Sequence, residues 1–353
     1  MPNPYSNLPR RNFWRTAVSE KTVFNLEGLY AKKFEIGREV RIGAAGSCFA
    51  QHVSANMRRR GFNIVDVEPA PDFLSAEEAR DLGYGIYSAR YGNIYTVRQM
   101  LQLADDAMTG NVRDGDFLDK GGHFIDLLRP NTEPNGYESL EEAKFNRRNH
   151  LKRVKELFTG IDVLVFTLGL TEAWTNKTSG TVYPVCPDTL NDVNSGNYEF
   201  HNFNYAEIIA DLQALRLKLK QQLPELRFLF TVSPVPLTAT ASRHHVMVAT
   251  SYSKSTLRAV CGTMEASCDD VDYFPSYEVI TSPLSRGVFY DPNMRKVNMT
   301  GVNTAMSIFF AEHDKVPAAQ KDHQAQRRAG AAPPEQSEDD VVCEEMMLEA
   351  FAR

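Results

Sequence analysis

A short apolar run that ends in Gly-Ser and continues into an amphipathic segment, at residues 40–60, constrains the fold of this chain most. The run from Val40 to Ala45 is too short for a helix and is typical of a buried strand. Behind it, Phe49, Val53 and Met57 recur at four-residue spacing, which predicts a helix with one apolar face. The pattern therefore predicts a strand that turns directly into a helix.

Ser47 stands at this predicted turn, and two interpretations of it are open. In the simpler one the side chain caps the helix, because Ser is among the preferred N-cap residues. In the other, the turn holds a hydroxyl above the carboxyl edge of a sheet. There, unpaired backbone N–H groups and the positive end of the helix dipole would stabilise an oxyanion. Spacing alone favours the cap, because strand–Gly–Ser–helix patterns occur in many α/β folds.

Strands and helices alternate along the rest of the chain, as in a parallel α/β fold. Asp162 to Leu168 predicts a central strand, because near-continuous apolar β-formers indicate a strand covered on both faces. Thr96 is a predicted N-cap. Parallel strands with right-handed crossovers bind ligands beyond their carboxyl ends. Other strands are predicted at 62–67, 226–232 and 272–280, and helices at 139–158, 205–222, 251–266 and 300–310.

The predicted α/β body covers residues 37–315, with a loop-rich insertion near 110–150. Residues 1–36 are rich in Pro and aromatic residues, which predicts an extended arm packed on the body with Trp14 as its anchor. Residues 316–353 hold eight Asp or Glu against four Lys or Arg, and they predict a disordered acidic tail.

Composition excludes several classes of protein. A net charge of −6 argues against nucleic acid as the main partner. Five cysteines without CxxC spacing predict neither a zinc site nor a disulfide framework, and they favour a reducing, cytoplasmic setting. The first residues contain no apolar signal region, and no run approaches the ~18 apolar residues that span a bilayer. We therefore expect neither export nor membrane insertion, and no metal.

Polar residues follow the predicted central strand directly, at Gly169, Thr171, Glu172 and Trp174. An α/β enzyme would carry functional groups at such a strand end. The alternative is a glycine turn with surface Thr and Glu. His201, between aromatic residues, is either a catalytic imidazole or a core histidine bonded to backbone.

Six stretches of this chain resemble one family along residues 10–312. The first, Gly46-Ser-Cys-Phe-Ala50, is similar to the motif that names the GSCFA family of bacterial proteins. The others are Ser88 to Thr96, Thr167 to Trp174, His201 to Phe203, Thr231 to Pro236, and Ser253-Lys254-Ser255. That family is grouped with SGNH/GDSL-type hydrolases. The resemblance implies a three-layer α/β/α sandwich with a mainly parallel, flavodoxin-like sheet.

The resemblance also implies roles for individual residues. Ser47 would match the nucleophile of the first SGNH block, and its N–H would join the oxyanion hole. Gly92, with Asn93 beside it, would match the glycine of the second block, whose N–H also lines that hole. Gly169-x-Thr171-Glu172 would stand where the superfamily has GxND. Thr171 therefore replaces an Asn donor, a task that Asn93 could take.

The last block departs further from the pattern. The superfamily has DxxH there, whereas this chain has Asp291-Pro-Asn-Met294, and Met accepts no proton. Another group would have to serve as general base. His201 ranks first and Lys296 second, because a lysine base needs burial to lower its pKa. The adjacent His244 and His245 rank third.

Three functions follow from this sequence. The first is a serine-dependent acyl hydrolase or O-acyltransferase that acts on an acylated carbohydrate or similar polar ester without cofactor. The second is a catalytically silent protein that binds a glycan or acyl group. In the third, Cys48 is the nucleophile, since a helix N-terminus lowers a thiol pKa.

Overall fold

The computed structural model describes residues 3–190, 196–314 and 348. Within them, strands are formed by Ile42–Gly46 (β1), Phe117–Lys120 (β2), His123–Asp126 (β3), Val163–Leu168 (β4), Glu172–Asn176 (β5), Val182–Tyr183 (β6), Tyr198–Asn202 (β7), Arg227–Val232 (β8) and Val271–Tyr273 (β9). Helices are formed by Cys48–Arg59 (α1), Ala76–Asp81 (α2), Val97–Thr109 (α3), Leu140–Phe158 (α4), Tyr205–Gln222 (α5), Val246–Ser267 (α6), Ser276–Thr281 (α7) and Met299–His313 (α8).

A parallel sheet lies at the centre, in the strand order β1-β4-β8-β9. Gly46 pairs with Thr167, and Thr167 pairs with Thr231, so the strands end together at one carboxyl edge. Ile64 adds a parallel bridge to Ile42 on the outer side of β1. With that position included, the order is the doubly wound 2-1-3-4-5. The predicted three-layer α/β/α sandwich with a mainly parallel, flavodoxin-like sheet is confirmed.

Alternate side chains of β4 enter two separate cores, one on each face of the sheet. Leu164, Phe166 and Leu168 pack with α3, α4, α5 and α6. Val163 and Val165 pack with α1, α7 and α8. The near-continuous apolar sequence of β4 is explained by this cover on both faces.

The sequence signals for helices are confirmed in several places. Phe49, Val53 and Met57 form the buried stripe of α1, as their spacing predicts. Thr96 caps α3 and Ser139 caps α4, each accepting a hydrogen bond from a backbone N–H of the first turn.

Two predicted strands are wrong in extent. Within residues 62–67, Ile64 forms the bridge to β1. Farther along, the N–H of Val67 donates to the carbonyl oxygen of Ser88 instead. The outer edge of β1 is therefore shared with an irregular segment. Of residues 272–280, β9 includes only the start, and Pro275 precedes α7. Proline cannot donate a ladder hydrogen bond, so the strand ends before it.

The N-terminal residues contact the body through Tyr30. Trp14 is 66% exposed, so its predicted role as anchor is wrong. Tyr30 is buried, and its hydroxyl lies 2.8 Å from Asp272 Oδ2 and 2.9 Å from His313 Nε2. The division into arm, body and insertion stays a prediction. The predicted disordered tail lies outside the described residues, apart from Leu348.

Candidate functional site

Ser47 lies at the turn between β1 and α1, where only glycine fits before it. Gly46 has φ +141, and a Cβ there would lie 2.5 Å from the carbonyl oxygen of Thr167. Ser47 occupies the N-cap position, but its side chain makes no capping hydrogen bond. The simpler interpretation, a serine that caps the helix through its hydroxyl, therefore has no support in the geometry.

The Ser47 hydroxyl is buried, and no described residue forms a hydrogen bond to its Oγ. An unsatisfied buried hydroxyl costs about 1–3 kcal/mol, so such a group calls for a functional explanation. Thr167 and Thr171 carry two more hydroxyls of this kind at the end of β4 and just beyond it. Three unsatisfied hydroxyls thus belong to one edge of the sheet.

Gly169 packs directly against Ser47. A Cβ on Gly169 would lie 2.8 Å from Ser47 Cβ and 3.3 Å from Ser47 Oγ. The N–H groups of Gly169 and Leu170 donate to the carbonyl oxygen of Tyr95 at 3.1 and 2.8 Å. These bonds connect the end of β4 to the segment that contains Gly92 and Asn93. The predicted Gly169 and the predicted nucleophile are thus in contact.

The segment with Gly92 and Asn93 is held beside the same turn. Gly92 is in the left-handed region at φ +68, which glycine adopts without strain. The buried Asn93 accepts through Oδ1 from Gln51 Nε2 at 3.2 Å and from the Tyr87 hydroxyl. The same hydroxyl lies 3.2 Å from the carbonyl oxygen of Ser47. The Tyr87 hydroxyl therefore lies within hydrogen-bond distance of both Asn93 and Ser47.

The proposed oxyanion donors are only partly available. The N–H of Ser47 donates to the carbonyl oxygen of Thr167 at 3.2 Å, contrary to its expected role. The N–H of Thr171 donates to Ser253 Oγ at 3.1 Å, which leaves the Thr171 hydroxyl as its remaining donor. A hole at this site would thus rely on side chains and on Gly92.

A cavity of about 230 Å³ lies beyond the carboxyl ends of β4 and β8. Trp174 and Phe200 form one wall, with their rings 5.9 Å apart and edge to face. Glu172 accepts from the Thr240 hydroxyl at 2.8 Å, and burial raises the pKa of its carboxyl, partly offset by that bond. The other lining residues are Leu170, Ala173, Pro184, Val185, Cys186, Thr189, Leu237, Ala239, Ala241 and Leu348.

Cys48 connects this cavity to the turn. Its side chain packs in an apolar cluster with two lining residues, Leu170 and Leu237, and with Tyr95. The cavity therefore lies next to the Ser47–Cys48 turn, while Cys48 itself is buried in apolar surroundings.

Comparison with known families identifies the chain. The model of the GSCFA family matches residues 41–309, which include the turn, the Gly92 segment, β4 and α6. This chain belongs to the GSCFA family. No curated protein and no solved structure matches it.

His201 of this GSCFA chain lies on β7, opposite Ala173 of β5. Its Nε2 is 2.8 Å from Glu207 Oε1, and its ring packs against Phe203 with the two ring planes tilted by 57°. Side chains alternate between the faces of a strand, so His201 lies on the opposite face from Phe200, which lines the cavity. His201 as the general base stays a prediction, and no hydrogen bond joins it to Ser47.

Lys296 acts on His52, which lies one turn into α1. Burial, and after it the charge of Lys296, lower the pKa of His52 to about 4. Lys296 Nζ is 3.9 Å from Asp291 Oδ2. Met294, at the expected His position, is 59% exposed and has φ +55. Lys296 therefore also stays a predicted base without a hydrogen bond to Ser47.

The histidine pair, His244 and His245, precedes α6 rather than lying in an isolated loop. His245 is the N-cap of α6 and accepts from the N–H of Met247 at 3.1 Å. His244 is exposed. A capping role explains His245 without catalysis.

Lys254 is the residue near the site that the sequence interpretation missed. It is only 1% exposed, and its Nζ donates to the carbonyl oxygen of Gly169 at 2.7 Å. A signal for it exists, because Lys254 continues the apolar stripe of Leu257, Cys261 and Met264 at helical spacing. A lysine on such a stripe faces the core.

In the described parts of the chain, no group of three or more His, Cys, Asp or Glu side chains has the arrangement of a metal site. Likewise, none of the described helices is both long and apolar enough to cross a bilayer.

Proposed function

We propose that this GSCFA protein is a serine-dependent acyl hydrolase or O-acyltransferase that acts on an acylated carbohydrate or a similar polar ester. The observation that carries the proposal is the buried Ser47 hydroxyl, which has no hydrogen-bond partner among the described residues and lies at the start of α1. A hydroxyl held without a partner is ready for a substrate carbonyl.

In this reaction, Ser47 Oγ attacks the ester carbonyl carbon and the leaving alcohol departs. The N-terminal end of α1 favours the negative charge that develops on the carbonyl oxygen. Gly92, Asn93 and the Thr171 hydroxyl are the candidate donors to that oxygen. The similarity of these stretches to SGNH/GDSL-type blocks supports the assignment. Water or an acceptor hydroxyl then releases the acyl group, without metal or organic cofactor.

The cavity supports an ester substrate with both apolar and polar parts. Trp174 and Phe200 offer aromatic faces that suit a sugar ring or an acyl chain. The bonded pair of Glu172 and Thr240 offers a polar contact in the same cavity. The odd number of cysteines without regular spacing favours a reducing compartment, so we place the activity in the cytoplasm.

A second candidate is a silent glycan- or acyl-binding protein. Two observations favour it: Met294 cannot accept a proton, and the Ser47 N–H already donates to Thr167. In that case the cavity binds its ligand but no bond is broken.

Fluorophosphonate labelling and hydrolysis of short-chain aryl esters distinguish these candidates, with Ser47→Ala and Cys48→Ala beside the unchanged protein. We expect labelling that Ser47→Ala abolishes and Cys48→Ala preserves. Labelling that survives Ser47→Ala would exclude the serine mechanism. Binding of an acylated sugar without labelling or turnover would instead support the silent protein. His201→Gln and Lys296→Met, each measured for rate, test the two predicted bases.

A further inference from the structure

Lys254, on α6, has an ionisable side chain that is buried in the core. Its exposed fraction is 1%, and it is among the largest fully buried side chains. Lysine is almost never fully buried unless it is bonded or paired. The burial of this amine near the unsatisfied Ser47 hydroxyl therefore calls for a functional explanation.

Gly169 is the contact shared by that amine and that hydroxyl. Lys254 Nζ lies 2.7 Å from the Gly169 carbonyl oxygen. A Cβ on Gly169 would lie 3.3 Å from Ser47 Oγ. The amine and the hydroxyl therefore both lie next to one residue that has no side chain.

The neighbouring residue fixes this part of α6 against the strand end. Ser253 is fully buried, and its Oγ accepts from the N–H of Thr171 at 3.1 Å. Consecutive residues of α6 thus bind Gly169 and Thr171. The long lysine side chain has rotatable bonds, and the proton transfer proposed below requires them to bring Nζ from the carbonyl to Ser47.

We propose that Lys254 is the general base of Ser47, an inference that rests on the proposed serine mechanism. The lone pair of Nζ takes the proton as the Ser47 O–H bond breaks and Oγ bonds to the ester carbonyl carbon. When the carbon–oxygen bond of the ester breaks, the same proton passes to the leaving alkoxide. In the second half, Nζ takes a proton from water or an acceptor hydroxyl as its oxygen bonds to the acyl carbon. The bond between that carbon and Ser47 Oγ then breaks, and the proton passes to Oγ.

Lys254 differs from both general bases that the sequence predicts. His201 is bonded to Glu207 on the face away from Phe200, and Lys296 lies near Asp291. Among the described residues, neither forms a hydrogen bond to the Ser47 hydroxyl. A lysine base must be neutral before it accepts a proton, and burial disfavours the charged form of an amine.

The first experiment measures the rate of fluorophosphonate labelling at Ser47 against pH. Lys254→Met removes the amine, while Lys254→Gln keeps a donor for the Gly169 carbonyl but has no basic lone pair. Lys220→Met is the matched control, because Lys220 also donates to a backbone carbonyl, that of Leu226 before β8. We expect both Lys254 variants to label about 10²–10⁴-fold more slowly and to lose the pH dependence, with Lys220→Met unchanged.

A folded Lys254→Gln protein, with an unchanged circular dichroism spectrum, that labels at the original rate would overturn the proposal. The serine mechanism would survive that result, because the unchanged protein would still label at Ser47.

The second experiment does not depend on activity. Ser47→Cys places a thiol at the same position, and its alkylation by iodoacetamide is followed against pH by peptide mass spectrometry. We expect the midpoint to differ by about one pH unit or more between Ser47→Cys and Ser47→Cys/Lys254→Gln. Equal midpoints would mean that the amine does not reach position 47, and they would overturn the proposal.

Absence of labelling in the unchanged protein would overturn the serine mechanism, and with it the proton transfer. A midpoint difference would then still establish contact between the amine and position 47. Failure of the proposed function and failure of the Lys254 assignment therefore give different results.

Discussion

At the scale of single residues, Gly169 leaves no room for a side chain. An added Cβ would lie 2.8 Å from Ser47 Cβ and 3.1 Å from the Tyr95 carbonyl oxygen. The carbonyl of Gly169 also accepts from Lys254. The close approach of the strand end to the turn thus depends on glycine at this position.

We predict that Gly169→Ala lowers the free energy of unfolding by about 1–3 kcal/mol, because the Cβ forces backbone and Ser47 apart. It should also slow labelling at Ser47. Gly37→Ala is the matched control, since an added Cβ there meets nothing within 4 Å, and it should change stability by less than about 1 kcal/mol. Urea unfolding measures both; equal stability of the two variants would contradict the prediction.

At the scale of elements, β4 carries the packing of both faces of the sheet. It lies between β1 and β8, and its residues belong to both cores. Its carboxyl end then leads through Gly169 into the residues that line the cavity. The strand that supports the fold thus also positions the candidate site.

Phe166→Ala should lower the free energy of unfolding by about 3–5 kcal/mol, because Phe166 is fully buried in the core with α3 to α6. Phe145→Ala is the comparison, as Phe145 on α4 is 58% exposed and should change stability by about 0.5 kcal/mol or less. Chemical denaturation of both variants measures the difference. Similar losses would show that β4 is not the packing centre.

At the scale of the whole molecule, the buried His150 and the partly buried His52 connect stability to pH. Burial lowers the pKa of His150 to about 4, and the charges of Arg129 and Arg147 lower it further against the bond to Glu68. His52 is lowered to about 4 as well, first by burial. Both are therefore neutral in the folded protein at neutral pH.

The unfolded chain binds protons to these histidines below their ordinary pKa of 6.5, whereas the folded protein binds them only near 4. The contribution of these two histidines to stability should thus be complete above pH 6.5 and be lost as pH decreases to about 4. Each histidine adds at most about 1.4 kcal/mol per pH unit. His52→Gln should reduce that slope by up to one proton, and exposed His123→Gln should not. Denaturation at several pH values tests this; an unchanged slope in His52→Gln would contradict it.

Much of the fold follows from local patterns. The stripe of Phe49, Val53 and Met57, the N-cap Thr96 and the apolar run of β4 each predicted the element that forms. The prediction of a strand at 62–67 was wrong in extent, because another segment of the chain also bonds to the edge of β1. Such competition between distant segments has no local signal.

The candidate site was likewise predictable only in part from local sequence. Local sequence was enough to place Ser47 between a strand and a helix and Gly169 at the end of a buried strand, because both depend on neighbours within a few residues. The groups that meet at this site depend instead on the packing of distant segments. Lys254 bonds to Gly169 across 85 residues of chain, while His201 is held by Glu207 six residues away. Periodicity tells which face of an element is buried, but the partner across that face depends on how the whole chain packs.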